Sequence, residues 1–319
     1  MDLLEIKDLT THFFTRAGVI KAVDNLSLRL QKDRVLGLVG ESGCGKTVTA
    51  LSVLNIVPYP GRIVSGSIFF EGRDLLTLES KEMRNIRGAK ISMIFQEPMT
   101  ALNPVFTVGN QIAEVLTTHL NVTKKQAMDS AVELLRSVGI PSPEKRVHEY
   151  PHQMSGGMRQ RVMIAMAIAC KPSLILADEP TTALDVTIQA HILELLSHIQ
   201  QEMGMAMILV THDLGLIAER AHEVAVMYAG RIVEQAETAE LFANPLHPYT
   251  RGLIGSIPKP GESRKTRLRT IAGIVPRLHD LPAGCKFAER CEVKSNRCVA
   301  EPALVEVKAG HLVRCWEAG

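Results

Sequence analysis

Val35–Thr47 reads VLGLVGESGCGKT, an apolar run that feeds directly into Gly40–Thr47, GESGCGKT. Val35–Val39 has the short, continuous apolar character of a buried strand. The residues after it follow the spacing G-x-x-x-x-G-K-T, that of a phosphate-binding loop. Glycines at 40, 43 and 45 let the backbone curl so that consecutive N–H groups face inward as an anion nest. The helix that follows adds its positive N-terminal end. Lys46 can reach the β- and γ-phosphates of a nucleotide, and the Thr47 hydroxyl can ligate Mg²⁺. Glu41, Ser42, Cys44 and Val48 complete the loop and the first turn. The pattern predicts a helix over Val48–Val57, stopped by Pro58. Strand, glycine loop and helix in that order predict a chain that binds and hydrolyses Mg-ATP. Cys44 reads in two ways, as a small residue in a tight loop or as a thiol whose pKa the helix N-terminus lowers. In the second case its alkylation blocks nucleotide binding.

The rest of the chain suits a soluble enzyme. Its 319 residues are 46% hydrophobic and 22% charged, enough for one large α/β domain with an appendage, or for two domains. The formal net charge is +2 and aromatics are 4% of residues, so neither a global field nor a base-stacking surface points to nucleic acid. MDLLEIKDL lacks the basic and apolar regions of an export signal. The longest apolar run, Val162–Cys170, is about half the roughly 20 residues that a spanning helix needs. The expectation is a protein that meets a membrane only through a partner.

Along the chain, residues 1–30 alternate apolar and polar, the period of strands with one buried face. Thr107–Leu120 and Lys124–Val138 show helical spacing, the second stopped by Gly139-Ile140-Pro141. Strands return at Leu174–Ala177 and Ala206–Val210 with a helix between them, which implies a largely parallel sheet. Residues 98–165 therefore read as a helical insert in an α/β domain. Six prolines between 245 and 282 mark residues 245–280 as a linker or irregular extension. Arg264, Lys265, Arg267 and Arg269 give it a basic run that reads as solvated surface.

A second group of residues carries chemistry. SLILADEP places Asp178 and Glu179 at the end of an apolar strand, where an aspartate can hold Mg²⁺ and the glutamate can polarise an attacking water. Taken alone, the pair also reads as capping acids. MSGGMRQR, residues 154–161, puts Ser155, Gly156 and Gly157 at the start of a helix, a second anion-binding N-terminus. One nucleotide does not need two such sites. The economical reading is that each monomer lends this loop to the nucleotide of a partner.

With these residues in hand, the chain over about residues 3–255 resembles the ATP-binding subunits of ABC transporters. GESGCGKT resembles the family's Walker A motif, and LILADEP resembles Walker B with its catalytic glutamate. MSGG stands for the usual LSGG signature. Gln96 in MIFQEP resembles the Q-loop, Thr182–Asp185 (TALD) the D-loop, and His212 in LVTHD the switch histidine. The resemblance implies a P-loop NTPase cassette with a RecA-like core, an antiparallel β subdomain and a helical subdomain. It implies two cassettes closing head to tail over ATP, with Glu179 as general base and His212 holding the γ-phosphate and water. Lys46 would serve catalysis, and Gln96, Thr47 and Asp178 would attend the Mg²⁺. Gln96 would also couple the site to a membrane partner, while Asp185 lies in the D-loop. Phe13 or Phe14 occupies the place of an adenine-stacking aromatic, and a core role for either is the alternative.

Cys285, Cys291, Cys298 and Cys315 crowd the last 35 residues with the spacing C-x5-C-x6-C-x16-C. In a chain without an export signal, metal ligation is the leading reading. The spacing lacks a zinc knuckle, and four thiolates can hold an iron–sulfur cluster. NPLHPYTRGLI with PxGC, RC, RC and EPAL resembles the C-terminal region of the oligopeptide/dipeptide branch of ABC importers. That resemblance implies a [4Fe-4S] cluster, with zinc as the alternative and four unligated cysteines as the remaining reading. It also implies a cassette over residues 1–255, with an extension over 256–319. The partners it implies are two permeases, an extracytoplasmic binding protein and a second, non-identical ATPase, with this chain peripheral at the cytoplasmic face of the inner membrane. A soluble ABC ATPase acting on nucleic acid or ribosomes is the competing function. A P-loop GTPase or kinase explains neither MSGGMRQR nor His212.

Overall fold

In the computed structural model, which describes residues 2–182, 184–257, 271–274 and 276–318, the alternating residues of the N-terminus form a long hairpin. Its strands are β1 (Asp2–Thr15) and β2 (Gly18–Gln31). The apolar run becomes β3 (Val35–Val39), with all five residues buried. The phosphate loop leads into α1 (Lys46–Val53). This helix starts two residues earlier than expected and ends four residues sooner. Asn55 takes a left-handed φ of 51°, and its N–H turns back to the Ser52 carbonyl at 2.9 Å, so the helix unwinds before Pro58 is reached. β4 (Gly61–Phe70) and β5 (Arg73–Asp74) complete an antiparallel four-stranded sheet in the order β2-β1-β4-β5. The buried hydroxyls of Thr11 and Ser52, 2.9 Å apart, tie β1 to α1.

The chain divides into two compact units, Met1–Leu76 with Leu209–Gly319, and Thr77–Ile208. The second unit contains α2 (Ser80–Ile86), β6 (Ile91–Ile94), α3 (Pro98–Ala101), α4 (Val108–His119), α5 (Lys124–Ser137), α6 (Pro143–Arg146), α7 (Gly156–Ile168), β7 (Leu174–Asp178) and α8 (Val186–Met203). β6 and β7 pair in parallel, Ile91 with Leu174 through Ile94 with Ala177. The two helices expected from periodicity are α4 and α5, and both carry side-chain caps. Thr107 accepts from the Asn110 N–H, and Thr123 forms a reciprocal capping box with Gln126. Such caps contribute about 1 kcal/mol each. Gly139, at φ 74°, ends the second helix as its sequence implied. Ala127, Ala131 and Leu135 share the buried face of α5.

β8 (Ala206–Thr211) carries the chain from the second unit back into the first. There α9 (Leu214–Arg220) precedes β9 (Glu223–Tyr228) and β10 (Arg231–Glu237). β3 pairs in parallel with β9, β9 is antiparallel to β10, and Gly37 of β3 leaves room for Ile217 of α9. α10 (Thr238–Ala243) and α11 (Pro248–Gly255) follow. α11 lies in a stretch whose prolines suggested irregular chain. Pro248 occupies the first turn, where its missing N–H costs nothing, so it starts the helix. The basic run Arg264, Lys265, Arg267 and Arg269 lies outside the described residues.

The C-terminal segment ends in β11 (Val305–Lys308) and β12 (His311–Val313), and β12 adds to β10 as an antiparallel strand. The buried Glu234 carboxylate fastens this arrangement. It accepts from the N–H groups of Leu246 and His247 at 2.7 and 2.9 Å, and it lies 2.8 Å from His311 Nε2.

Candidate functional site

The phosphate loop of the first unit has the backbone its glycines require. Gly40, Gly43 and Gly45 have φ values of 155°, 79° and 108°. At Gly40 a Cβ would stand 2.2 Å from the Met227 carbonyl oxygen, and at Gly45 it would stand 2.2 Å from that of Ala22. Two neighbouring strands thus press on the loop, and only glycine fits at either place. The Gly230 N–H donates to the Cys44 carbonyl at 2.9 Å, which fixes the loop from the β9–β10 turn. Lys46 is buried and folds its ammonium over its own loop, donating to the carbonyls of Gly40 at 2.8 Å and Glu41 at 3.1 Å. Ser42, Gly43 and Thr47 are exposed, and Val48 is half-buried.

Cys44 lies inside this loop. Its side chain is buried, and burial raises its thiol pKa, with nearby Lys46 opposing. Its burial under the loop favours the reading of Cys44 as a small residue in a tight loop.

Phe13 is half-buried with its ring over Gly61, the residue it faces across β1 and β4. Phe14 is more exposed, and the Arg62 guanidinium sits 4.1 Å from its ring centre. Phe13 pairs with Ile20 on β2, two residues from the Ala22 carbonyl that abuts Gly45. His212 is exposed just past β8, and Asp213 beside it caps α9 by accepting from the Leu216 N–H at 3.1 Å.

Spacing alone could not reveal the contacts that the distal segments make on the loop. The Tyr249 hydroxyl oxygen accepts the Glu41 N–H at 2.8 Å. The Arg290 guanidinium grips the Glu41 carboxylate with both ends, at 2.7 and 3.0 Å. Tyr228, Tyr249 and Phe287 pack their rings with centroids 4.8 to 5.4 Å apart. Tyr249 appears in the sequence only within NPLHPYTRGLI, and Arg290 only as an arginine preceding Cys291.

In the second unit, β7 ends in the buried Asp178, and Glu179 follows in a left-handed backbone conformation with φ 43°. A side chain in that region costs on the order of 1–3 kcal/mol. Glycine would remove the strain, yet the position holds a carboxylate, the signature of a site where the acid matters more than comfort. The Gln96 amide and the Thr182 hydroxyl both donate to one Glu179 oxygen, at 3.0 and 2.8 Å. Ser155 caps α7 by accepting the Met158 N–H at 3.3 Å. Its own hydroxyl hydrogen is not used in that bond. Gly156 and Gly157 open the helix under Leu184 and Ile188, where a Cβ at Gly157 would come within 3.0 Å of Ile188. Met154 is buried, so the residue standing for the usual leucine serves packing. Asp185 is exposed at the N-terminus of α8.

The structure does not gather the four C-terminal cysteines as expected. Among the described residues no group of three or more His, Cys, Asp or Glu side chains is arranged to hold a metal ion. Local bonds occupy the segment instead: the Cys285 N–H donates to the Cys298 carbonyl at 3.0 Å, and Cys315 Sγ accepts the Glu317 N–H at 3.4 Å. The thiols nevertheless share a neighbourhood. Burial pushes Cys285 up to about 11, and negative charge on Cys298 or Cys315 acts in the same direction. Cys291 and Cys315 are raised for the same reasons.

Comparison with known proteins places these features. Residues 23–182 match the family described as ABC transporter, and residues 233–298 match the oligopeptide/dipeptide transporter, C-terminal region. The chain is 51% identical to a probable peptide ABC transporter ATP-binding protein of Sinorhizobium fredii, over 99% of this chain and 95% of the relative. It is 51% identical to a dipeptide transport ATP-binding protein of Haemophilus influenzae, over 99% and 95%. It is 50% identical to an oligopeptide transport ATP-binding protein of Bacillus subtilis, over 98% and 96%. Among solved structures, the dimeric post-hydrolysis state of the ATP-binding cassette MJ0796, bound to ADP and Pi, is similar with a TM-score of 0.67 and 25% identity. That match covers 74% of this chain and 98% of the other. Among the described residues no helix is long and apolar enough to cross a membrane. A phosphate loop shaped for glycine, a strained glutamate after a buried strand and a near full-length likeness lead to one conclusion: the chain belongs to the ABC transporter ATP-binding family, has the ABC ATPase cassette fold, and carries an oligopeptide/dipeptide transporter C-terminal region.

Proposed function

We propose that this chain is the ATP-hydrolysing subunit that energises import of dipeptides or oligopeptides through partner permeases. The observation that carries it is the phosphate loop, with three left-handed glycines and a buried lysine wrapped over it. Gly40 to Thr47, with Val48 in the first turn of α1, bind the phosphates, and Phe13 stacks on adenine. Thr47, Asp178 and Gln96 would attend Mg²⁺ through hard oxygens of the kind that ion takes. The bound ion neutralises phosphate charge. Glu179 polarises the attacking water, held in place by Gln96 and Thr182. His212 steadies the γ-phosphate, Lys46 the transferring group. Ser155, Gly156, Gly157 and Asp185 serve a nucleotide held mainly by a second, non-identical ATPase.

The assembly comprises that second ATPase, two permeases and an extracytoplasmic solute-binding protein, with this chain peripheral at the cytoplasmic face of the inner membrane. The cassette over residues 1–255 does the nucleotide chemistry, with 98–165 as its helical part and 256–319 as the extension. The likeness to peptide, dipeptide and oligopeptide transport ATP-binding proteins supports the substrate class. ATP turnover measured in the co-expressed complex tests this reading. Stimulation by peptide-loaded binding protein is the expected result, and stimulation by nucleic acid or ribosomes instead would support the soluble alternative.

The four C-terminal cysteines take up a [4Fe-4S] cluster. The support lies in the donors: burial raises the thiols of Cys285, Cys291 and Cys315, and a cationic centre relieves that cost, although among the described residues no such group is arranged to hold a metal ion. No step of ATP hydrolysis runs through it. Anaerobically purified protein should be brown and contain iron and sulfide. Colourless protein with stoichiometric zinc would establish the alternative.

A further inference from the structure

Glu41 is an acid set in a loop built to hold anions, and every polar group it owns is engaged. Its N–H donates to Tyr249, its carbonyl accepts from Lys46, and its carboxylate is held by Arg290 through a two-point fork at 2.7 and 3.0 Å. The Arg290 side chain is only 5% exposed. Its third donor, Nε, reaches the Ala272 carbonyl at 3.0 Å, and its guanidinium lies 5.8 Å from the Tyr228 ring centre and 5.9 Å from that of Phe287. The Arg290 N–H closes a turn to the Phe287 carbonyl at 3.0 Å, and the Ala288 N–H closes one to Cys285 at 3.1 Å. Arg290 is thus a preorganised cation, delivered from 249 residues downstream onto the second residue of the phosphate loop.

We propose that Arg290 is a positioning residue for nucleotide binding, which neutralises and anchors Glu41 so that the phosphate loop accepts a triphosphate. Without it, a carboxylate would stand uncompensated beside the incoming phosphates. The C-terminal segment is thereby part of the ATP site through one ion pair. The inference rests on the reading of residues 40–47 as the phosphate site.

The test is equilibrium ATP binding to the full chain as wild type, Arg290→Gln, Arg290→Lys and the Glu41→Gln/Arg290→Gln double variant. Metal content and thiol accessibility are followed for each. Arg290→Gln should weaken ATP by about tenfold or more, the scale of a lost charged hydrogen bond. Arg290→Lys should fall between, and the double variant should return to within about threefold of wild type, because the offending charge is gone. Wild-type affinity in Arg290→Gln would overturn the proposal. So would a double variant as weak as the single one, which would assign the loss to disruption of the segment. Failure of the wild-type chain itself to bind ATP would instead refute the reading of the loop.

Discussion

Gln96 donates its side-chain amide to the Glu179 carboxylate across 3.0 Å, so a residue of the loop after β6 holds the acid that follows β7. With Thr182 on the same oxygen, two neutral donors orient the carboxylate. Glu179→Gln should keep ATP binding and lose about 10²–10⁴ in turnover, the usual scale of general-base assistance. Steady-state ATP hydrolysis by the purified complex, beside a nucleotide-binding control, measures this. Undiminished turnover removes Glu179 from that role.

Two loop glycines should respond differently to one methyl group. Gly43 has φ 79° with open space around it, so Gly43→Ala pays only for the left-handed backbone, roughly 1–2 kcal/mol. Gly45 adds a collision with the Ala22 carbonyl at 2.2 Å and the Met227 methyl at 2.7 Å. Gly45→Ala should therefore cost about 3 kcal/mol or more and abolish nucleotide binding. Urea denaturation of the two variants, compared with wild type, separates the effects.

Cys44 should resist thiol reagents in the folded protein. The thiol is 2% exposed and its pKa lies above the ordinary value because burial disfavours the thiolate. Mass spectrometry after alkylation should find Cys44 unmodified under native conditions and modified in denaturant, with or without ATP. Rapid native labelling that ATP suppresses would restore the reactive-thiol reading.

Stability should decline in mild acid through His247. The ring is buried, its Nδ1 accepts the Tyr249 N–H at 3.0 Å, and burial holds its pKa down to about 3, with Arg251 and Arg314 acting the same way. In the unfolded chain the group titrates near 6.5. Between these values the unfolded state binds the extra proton, so this contribution is complete above pH 6.5 and is lost as pH falls toward 3. The slope is about 1.4 kcal/mol per pH unit for this one group. Urea midpoints at several pH values should show it. His247→Asn, which keeps an acceptor for Tyr249, should flatten the dependence.

Much of this was legible because it is local. A glycine loop between an apolar strand and a helix, a helix stopped by Gly-Ile-Pro, and an acid pair at a strand end each declare themselves within a dozen residues. The end of α1 was misread because Asn55 terminates it before Pro58, and left-handed asparagine leaves a weak trace in sequence. Pro248 was read as a breaker because proline either stops a helix or starts one, and only the chain before it decides which. The Arg290–Glu41 pair was illegible on principle. Nothing in either neighbourhood encodes a partner so far away along the chain, and its existence depends on how β9, α11 and the C-terminal segment pack. The cysteine spacing, in turn, conveyed the kind of donor but not its geometry.

The three-ring contact of Tyr228, Tyr249 and Phe287 has a practical consequence for anyone trimming this protein. A chain stopped at residue 255 would keep both tyrosines and lose the phenylalanine that shields them, leaving aromatic surface to be wetted. Such a minimal cassette should be sticky in solution, whatever becomes of its catalytic groups. Exchanging the last sixty or so residues between paralogues faces the same obstacle, since the donor must bring a ring of the right size at the position of Phe287. The two parts named from sequence are therefore not interchangeable modules but halves of one hydrophobic joint.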